Sequence, residues 1–279
     1  MRRFSKSQKQ AVELVSGNAG DVLNQGQSYT TEEKLRGFAT LFEQQLAIAK
    51  HSNVLRGSTY VHIDLHAGCG YNRKIGHNVK GSPLVFRDMA AKVGLNDYLM
   101  LSVDKNKHAV AELARHLEND NRCFPFFGDN AELCDSVPEL LRAHGFSDLR
   151  SVVGSVLMDP NGLVAFPWDQ VNQLMRICPR LDVIVNYPGL AMIRNYGHPL
   201  WVDIEELPKR LHKTNWFIRE PLPTWYYTIA IGRNTNKVKR PASFVEWDSE
   251  AGRRYRRRAV TDNATLRKLP SVGQLELFT

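Results

Sequence analysis

The stretch Tyr60-Val61-His62-Ile63-Asp64-Leu65-His66-Ala67-Gly68-Cys69-Gly70 decides the fold of this 279-residue chain. Its first residues are mainly aromatic or β-branched, as a buried strand requires. Small residues and glycines follow. Gly68 and Gly70 can take a positive φ without Cβ strain, and a helix starting after them would aim unpaired N–H groups back at a ligand. We read a strand ending in a nucleotide-type cofactor loop, with Asp64, His66, Ala67, Gly68, Cys69 and Gly70 as its candidate residues.

The pattern recurs downstream, each apolar run delivering a polar group at its end. Tyr98 to Val103 leads to Asp104, where a carboxylate can accept both hydroxyls of a ribose, with Lys105 beside it. Cys123 to Phe127 leads to Gly128-Asp129-Asn130, where Asp129 can accept an adenine amino group. Val152 to Met158 leads to Asp159-Pro160-Asn161-Gly162, and Val183-Ile184-Val185 to Asn186-Tyr187-Pro188-Gly189. Helix-compatible stretches such as Lys107 to Leu117 and Val137 to His144 separate the runs, the alternation of a parallel sheet covered on both faces. The expected fold is α/β, a Rossmann-like doubly wound, mostly parallel sheet in one main domain. Ligands of such sheets bind beyond the carboxyl ends of the strands, where Asp64, Asp104, Asp129 and Asp159 would converge. Any one of these residues could merely cap a helix or start a turn. Four in series point to a shared site.

These residues resemble the class I S-adenosylmethionine-dependent methyltransferases, and more narrowly the three-Cys-motif partner proteins of bacteria, phages and mobile elements. The resemblance rests on the loop Asp64 to Gly70, on Gly81-Ser82-Pro83-Leu84 and on Asp159-Pro160-Asn161-Gly162, within about Leu35 to Arg233. It implies S-adenosylmethionine as cofactor, with Asp64 and Gly68 to Gly70 at its methionine part, Asp104 at the ribose and Asp129 at the adenine. His66 replaces a usual Phe, and Cys69 a usual Pro or small residue. The family implies fold and cofactor well and substrate poorly.

Asp159-Pro160-Asn161 is the candidate catalytic element, because the fourth strand of this fold faces the transferable methyl group. It resembles the Asp-Pro-Pro-aromatic motif of amino-methyltransferases. There the Asp side chain and first Pro carbonyl accept hydrogen bonds from an exocyclic amine and aim its lone pair at the methyl. The motif aromatic is missing here, and Phe166 or Trp168 could supply the stacking surface. A tight turn is the plain alternative for Asp159-Pro160. Asn186 and Tyr187 read as a second wall of the substrate pocket. Cytosine C5 methylation is excluded by the absence of a Pro-Cys after the fourth strand, Cys178 preceding Pro179 and reading as a core thiol.

Composition agrees with one large α/β core plus extensions, at 43% hydrophobic and 24% charged residues. The domain reading is an N-terminal helical extension over 1–50, the α/β domain over 51–235 and a basic tail over 236–279. Within the extension we expect a short basic helix, Ser5 to Val15, and a longer one through Lys50, opened by Thr31-Glu32-Glu33-Lys34. Its apolar face is Leu35, Phe38, Leu41, Phe42, Leu46 and Ile48. Trp201 to His212 reads as helix, and Asn215 to Arg219 and Trp225 to Gly232 as an antiparallel edge. The start of the chain lacks an apolar h-region and no run suits a membrane span, so a cytoplasmic protein is expected. The cysteines show no C-x-x-C pairing, and buried free thiols are expected.

The net charge of +8 and Arg253, Arg254, Arg256, Arg257 and Arg258 around Tyr255 read as a phosphate-binding arm, with nucleic acid (DNA or RNA) as partner. Tyr255 and Trp247 could stack on bases or pack the tail onto the domain. A solvated tail is the alternative. The function expected from these features is methylation of an amino group in a nucleic-acid base. A catalytically silent partner of an operon-encoded protein, and a metal-dependent hydrolase using His62, Asp64 and His66, are the competing classes.

Overall fold

A computed structural model describes residues 30–51, 59–72, 79–160, 166–189, 202–221, 227–234 and 240–260. The expected helix Ser5 to Val15, Asn161 and residues 261–279 lie outside them. Helix α1 (Thr30–His51) precedes β1 (Tyr60–Asp64), a small antiparallel pair β2 (Tyr71–Asn72) and β3 (Val79–Lys80), and α2 (Ser82–Val93). Then β4 (Tyr98–Asp104), α3 (Lys107–Leu117), β5 (Cys123–Phe127), α4 (Asn130–Ala143), β6 (Gly154–Met158), α5 (Trp168–Ile177) and β7 (Leu181–Pro188) alternate. A short α6 (Leu207–Arg210) leads to β8 (Asn215–Arg219), β9 (Tyr227–Arg233), β10 (Phe244–Glu246) and α7 (Glu250–Val260).

The strands form one eight-stranded sheet in the order β10-β8-β9-β7-β6-β1-β4-β5. Pairing is parallel from β5 through β7 and antiparallel from β7 to β10. The chain leaves β1 in one direction for β4 and β5, then returns to β6 on β1's other side, so the order reverses between β1 and β6. That reversal opens the crevice in which such sheets bind ligands.

Alternation along the strands explains the two cores. Val61, Ile63, Leu101, Val156 and Val183 face Val137, Leu141, Val171 and Leu174 of α4 and α5. Met100, Leu157, Ile184 and Ile231 face Phe38, Phe42, Leu84 and Phe86 of α1 and α2. Each such side chain contributes about 1.5–3 kcal/mol by leaving water. Helices α3 and α4 start where a side chain satisfies their first amides. Asn106 accepts from His108 N–H at 2.9 Å and Ala109 N–H at 3.3 Å, and Asp129 with Glu132 forms a capping box on α4.

Several expectations change. In α1 the buried face is Leu35, Phe38, Leu41, Phe42, Leu46 and Ala49, with Ile48 only half-buried. Of the helix expected from Trp201 to His212, only Leu207–Arg210 is α-helical among the described residues, after a 3₁₀ turn at Ile204–Glu206. Pro208 fits only the first turn of a helix, so α6 starts late. Asn186, Tyr187 and Pro188 are part of β7 and do not follow it.

The largest change concerns the arginine run, which is the ordered helix α7 and not a loose arm. Phe244 and Trp247 are buried, the latter 5.7 Å from Trp216, and Tyr255 packs on the core, so these aromatics hold the segment to the domain. Sparse apolar residues suffice because the helix needs only one narrow buried stripe, Gly252, Arg256 and Ala259.

Candidate active site at the carboxyl edge of the sheet

Beneath the edge, Asp64 is fully buried. Its Oδ1 accepts from His66 N–H at 3.0 Å and its Oδ2 from the Ser82 hydroxyl at 2.6 Å. Burial, with Asp159 and Asp104 nearby, pushes this carboxyl up to about 7, against the pull of the two hydrogen bonds. Asp64 therefore shapes the loop from below. Ser82 belongs to the Gly81-Ser82-Pro83-Leu84 element, and Gly81 N–H donates to Gly70 O at 2.6 Å, which ties that element to the loop.

The loop itself is held by backbone. Ala67 N–H donates to Val103 O at 3.0 Å, and Gly68 N–H to Asp104 Oδ2 at 2.9 Å. Gly68 and Gly70 have φ of +61° and +87°. A Cβ on Gly68 would project into open space, whereas one on Gly70 would sit 3.1 Å from Leu113 Cδ1. The first glycine leaves room for a ligand and the second permits close packing. Cys69 is buried, its thiol donating to Tyr71 O at 3.1 Å.

Asp104 also accepts from Asn106 N–H at 2.8 Å, and remains partly exposed beyond the loop. Lys105 and Asp129 form an ion pair at 2.7 Å, which with the capped Ala131 N–H holds the Asp129 carboxyl below its ordinary value. Asp129 is thus both helix cap and edge carboxylate. Sequence reasoning missed Phe127, which stands opposite Asp104 across the β4–β5 pair and is 58% exposed. A flat apolar ring beside two carboxylates offers a base a surface to lie on.

The second half meets the first through His66. Its Nδ1 accepts from Asp159 N–H at 3.3 Å and its Nε2 lies 3.1 Å from the Asn130 side-chain amide. Phe166 presents its edge to His66, with ring centroids 6.3 Å apart, and stands 4.5 Å from Trp168. Asp159 Oδ1 accepts from Asn186 Nδ2 at 2.7 Å, and Oδ2 from Lys34 Nζ at 2.8 Å. Lys34 arrives from α1, and no motif links it to residue 159. One turn later, Gly37 lets the Arg219 guanidinium rest on the helix, where a Cβ would come within 2.1 Å of Nη1. Lys34, Asn186, Arg219, Glu220, Tyr227 and Thr228 line a small pocket beside Asp159.

Tyr187 lies elsewhere. It projects from the opposite face of β7, fully buried, and donates to Val202 O at 3.4 Å. Pro160 is buried next to Asp159. On α7, Arg253, Arg254, Arg257 and Arg258 are exposed, while Arg256 is buried against Glu205 at 2.7 Å. Arg258 pairs with Glu220, so the last turn of α7 reaches the pocket's rim.

The histidines divide as well. His62 is fully buried, stacked 4.1 Å from Phe86 and 2.9 Å from Ser155 Oγ, and burial pushes its ring down to about 3. It serves the core, away from His66. Among the described residues no three His, Cys, Asp or Glu side chains gather as metal ligands would. All four cysteines are buried free thiols, and burial raises Cys178 to about 11. No described helix is long and apolar enough to cross a membrane.

No protein-family model matches the chain, and no curated protein matches it by sequence. Solved structures do. Protein LPL1258 of Legionella pneumophila aligns with a TM-score of 0.51 at 10% identity, over 74% of this chain and 86% of that one. Human methyltransferase-like protein 13, in complex with SAH, aligns at 0.42 and 13% identity, over 88% and 97%. The N-methyltransferase NodS of Bradyrhizobium japonicum aligns at 0.41 and 10% identity, over 74% and 97%. This chain, an α/β domain with a mostly parallel eight-stranded sheet and an antiparallel edge, is therefore similar in fold to LPL1258.

Proposed function

We propose that this protein is an S-adenosylmethionine-dependent methyltransferase acting on an amino group of a nucleic-acid base. One observation carries the reading: Asp159 stands at the strand-order reversal, joined through His66 to the glycine loop and bonded on its other side to Asn186 and Lys34, which line a small pocket. The residues of the loop half suit the cofactor. Gly68 leaves open space, Asp104 offers carboxylate oxygen to ribose hydroxyls, and Phe127 and Asp129 offer a surface and an acceptor to adenine. S-adenosylmethionine, when bound, supplies an electrophilic methyl group. Asp159 would orient the accepting amine, and Phe166 with Trp168 would flank the base.

Nucleic acid as the acceptor is supported by the net charge of +8 and the exposed arginines of α7. Arginine's planar fork suits phosphate. The narrower likeness to three-Cys-motif partner proteins, and with it a phage or mobile-element role, rests on the motif residues alone. The Lys34 ammonium seated on Asp159 favours a second reading, a catalytically silent binding partner.

Calorimetry with S-adenosylmethionine and S-adenosylhomocysteine, followed by transfer of labelled methyl onto DNA, RNA and protein, tests these readings. Binding of both ligands and label on a base amine is the expected result. Binding without transfer selects the silent partner, and no binding sinks the proposal.

A further inference from the structure

Asn186 carries an unusual imbalance. Its side chain is 1% exposed, and its Nδ2 donates to Asp159 Oδ1 at 2.7 Å. The carboxylate needs a donor there, which fixes the amide's orientation and leaves Oδ1 to find a donor of its own. Oδ1 is shut off from water and accepts nothing. An acceptor buried in this way costs about 1–3 kcal/mol, a cost that a ligand donor would remove.

The occupant of the neighbouring position is informative. Lys34 reaches from α1, 125 residues before Asp159 in sequence, and places a primary amine 2.8 Å from Oδ2. Its side chain is 17% exposed and lines the same pocket as Asn186. A flexible, strongly hydrated ammonium on a four-carbon stem can swing its head to water while the stem stays on the protein, provided another donor takes its place on the carboxylate.

We infer that Asp159 Oδ2 and Asn186 Oδ1 are paired acceptors of a subsite for a primary amino group, and that Lys34, which meets only Oδ2, holds the place until a substrate amine displaces it. The assignment rests on the reading of Asp159 as the residue that orients the methyl acceptor. An exocyclic amine has two N–H bonds. With one on each acceptor, its lone pair is left unengaged, and Asn186 does the work that the first Pro carbonyl does in the Asp-Pro-Pro-aromatic motif. A hydroxyl has only one hydrogen to donate, and a tertiary or quaternary amine cannot bind both acceptors.

The test uses full-length Lys34→Ala, in which the vacated stem and head can take n-propylammonium. The n-propylammonium ion should raise the melting temperature of this variant beyond matched sodium chloride. Tetramethylammonium, with equal charge and no N–H, should not, and the wild type should respond to neither. Adding Asn186→Leu should weaken the apparent affinity for n-propylammonium about tenfold. If circular dichroism shows that this second change unfolds the protein, Asn186→Ala replaces it. Equal responses to the two ammonium ions, or no loss with the Asn186 change, would overturn the assignment. S-adenosylmethionine calorimetry on Lys34→Ala keeps the two readings apart. Cofactor binding without amine binding sinks the subsite alone, and amine binding without cofactor binding sinks the methyltransferase reading.

Discussion

Over β1 and β4 the carboxyl edge of the sheet is held largely by backbone N–H groups given to carboxylates, whereas over β6 and β7 it is held by side chains from distant elements. Asp64 and Asp104 each accept from an amide two residues ahead. Asp159 depends on Asn186, 27 residues on, and on Lys34, 125 residues back. A turn that organises itself can keep its shape when a ligand leaves. A cluster assembled from α1, β6 and β7 changes when any one of those elements shifts.

The independence of the two halves is tested most severely at Asp159. Asp159→Ala should lower methyl transfer by about a thousandfold, since orientation of the acceptor is lost. Cofactor affinity, measured by calorimetry, should stay nearly unchanged. Equal loss of both would mean that the two halves are one unit.

Next comes Asp64, whose carboxyl is raised from 3.8 to about 7 by burial. Its folded form favours the proton, so this group's contribution is full below 3.8 and is lost as pH rises through about 7. The loss amounts to a few kcal/mol at most, since each tenfold change in proton affinity is worth about 1.4 kcal/mol. Urea melts of Asp64→Asn should therefore show a shallower fall in stability over that window than the wild type. Parallel profiles would put the pH dependence elsewhere.

Asp104→Ala probes the same division from the loop side. Removing a charged acceptor should weaken S-adenosylmethionine binding by about 1.5–3 kcal/mol while the fold survives. Unchanged calorimetric affinity in a folded variant would remove the ribose assignment. The smallest effect is expected on α7, where Arg254→Glu with Arg257→Glu should flatten the salt dependence of DNA binding. Each lost phosphate contact removes about 0.9 from the log–log slope. Point changes are needed because α7 and β10 belong to the domain, and truncation would uncover Trp216 and the flank of β8. An unaltered slope would leave these arginines as solvation alone.

The loop half was legible in sequence for a physical reason. Its determinants are periodic apolar runs, glycines and terminal carboxylates, and β5 and α3 fall where those patterns place them. The presence of the five parallel strands, β1 and β4 to β7, follows from the same alternation. The other half has no such grammar. Nothing about Lys34 in a helix or Arg219 on a strand announces that they flank one pocket, because the link is tertiary. Tyr187 shows the complementary error, since a motif inside a strand points adjacent residues to opposite faces. The arginine run misled by composition, its single buried stripe being too thin to register against so much charge.

The position of α1 has a consequence for how the protein is made. Lys34 is synthesised 125 residues ahead of Asp159, a wait on the order of ten seconds at typical rates of translation. Phe42 finds Phe86 of α2 sooner, with rings 5.6 Å apart in the finished fold. The emerging chain can therefore shelter its first apolar helix early, while the acidic partner of that helix is still untranslated. Ribosome-bound chains that stop before β6 would carry the loop half without its counterpart, and the acceptor end would be among the last parts of the molecule to close.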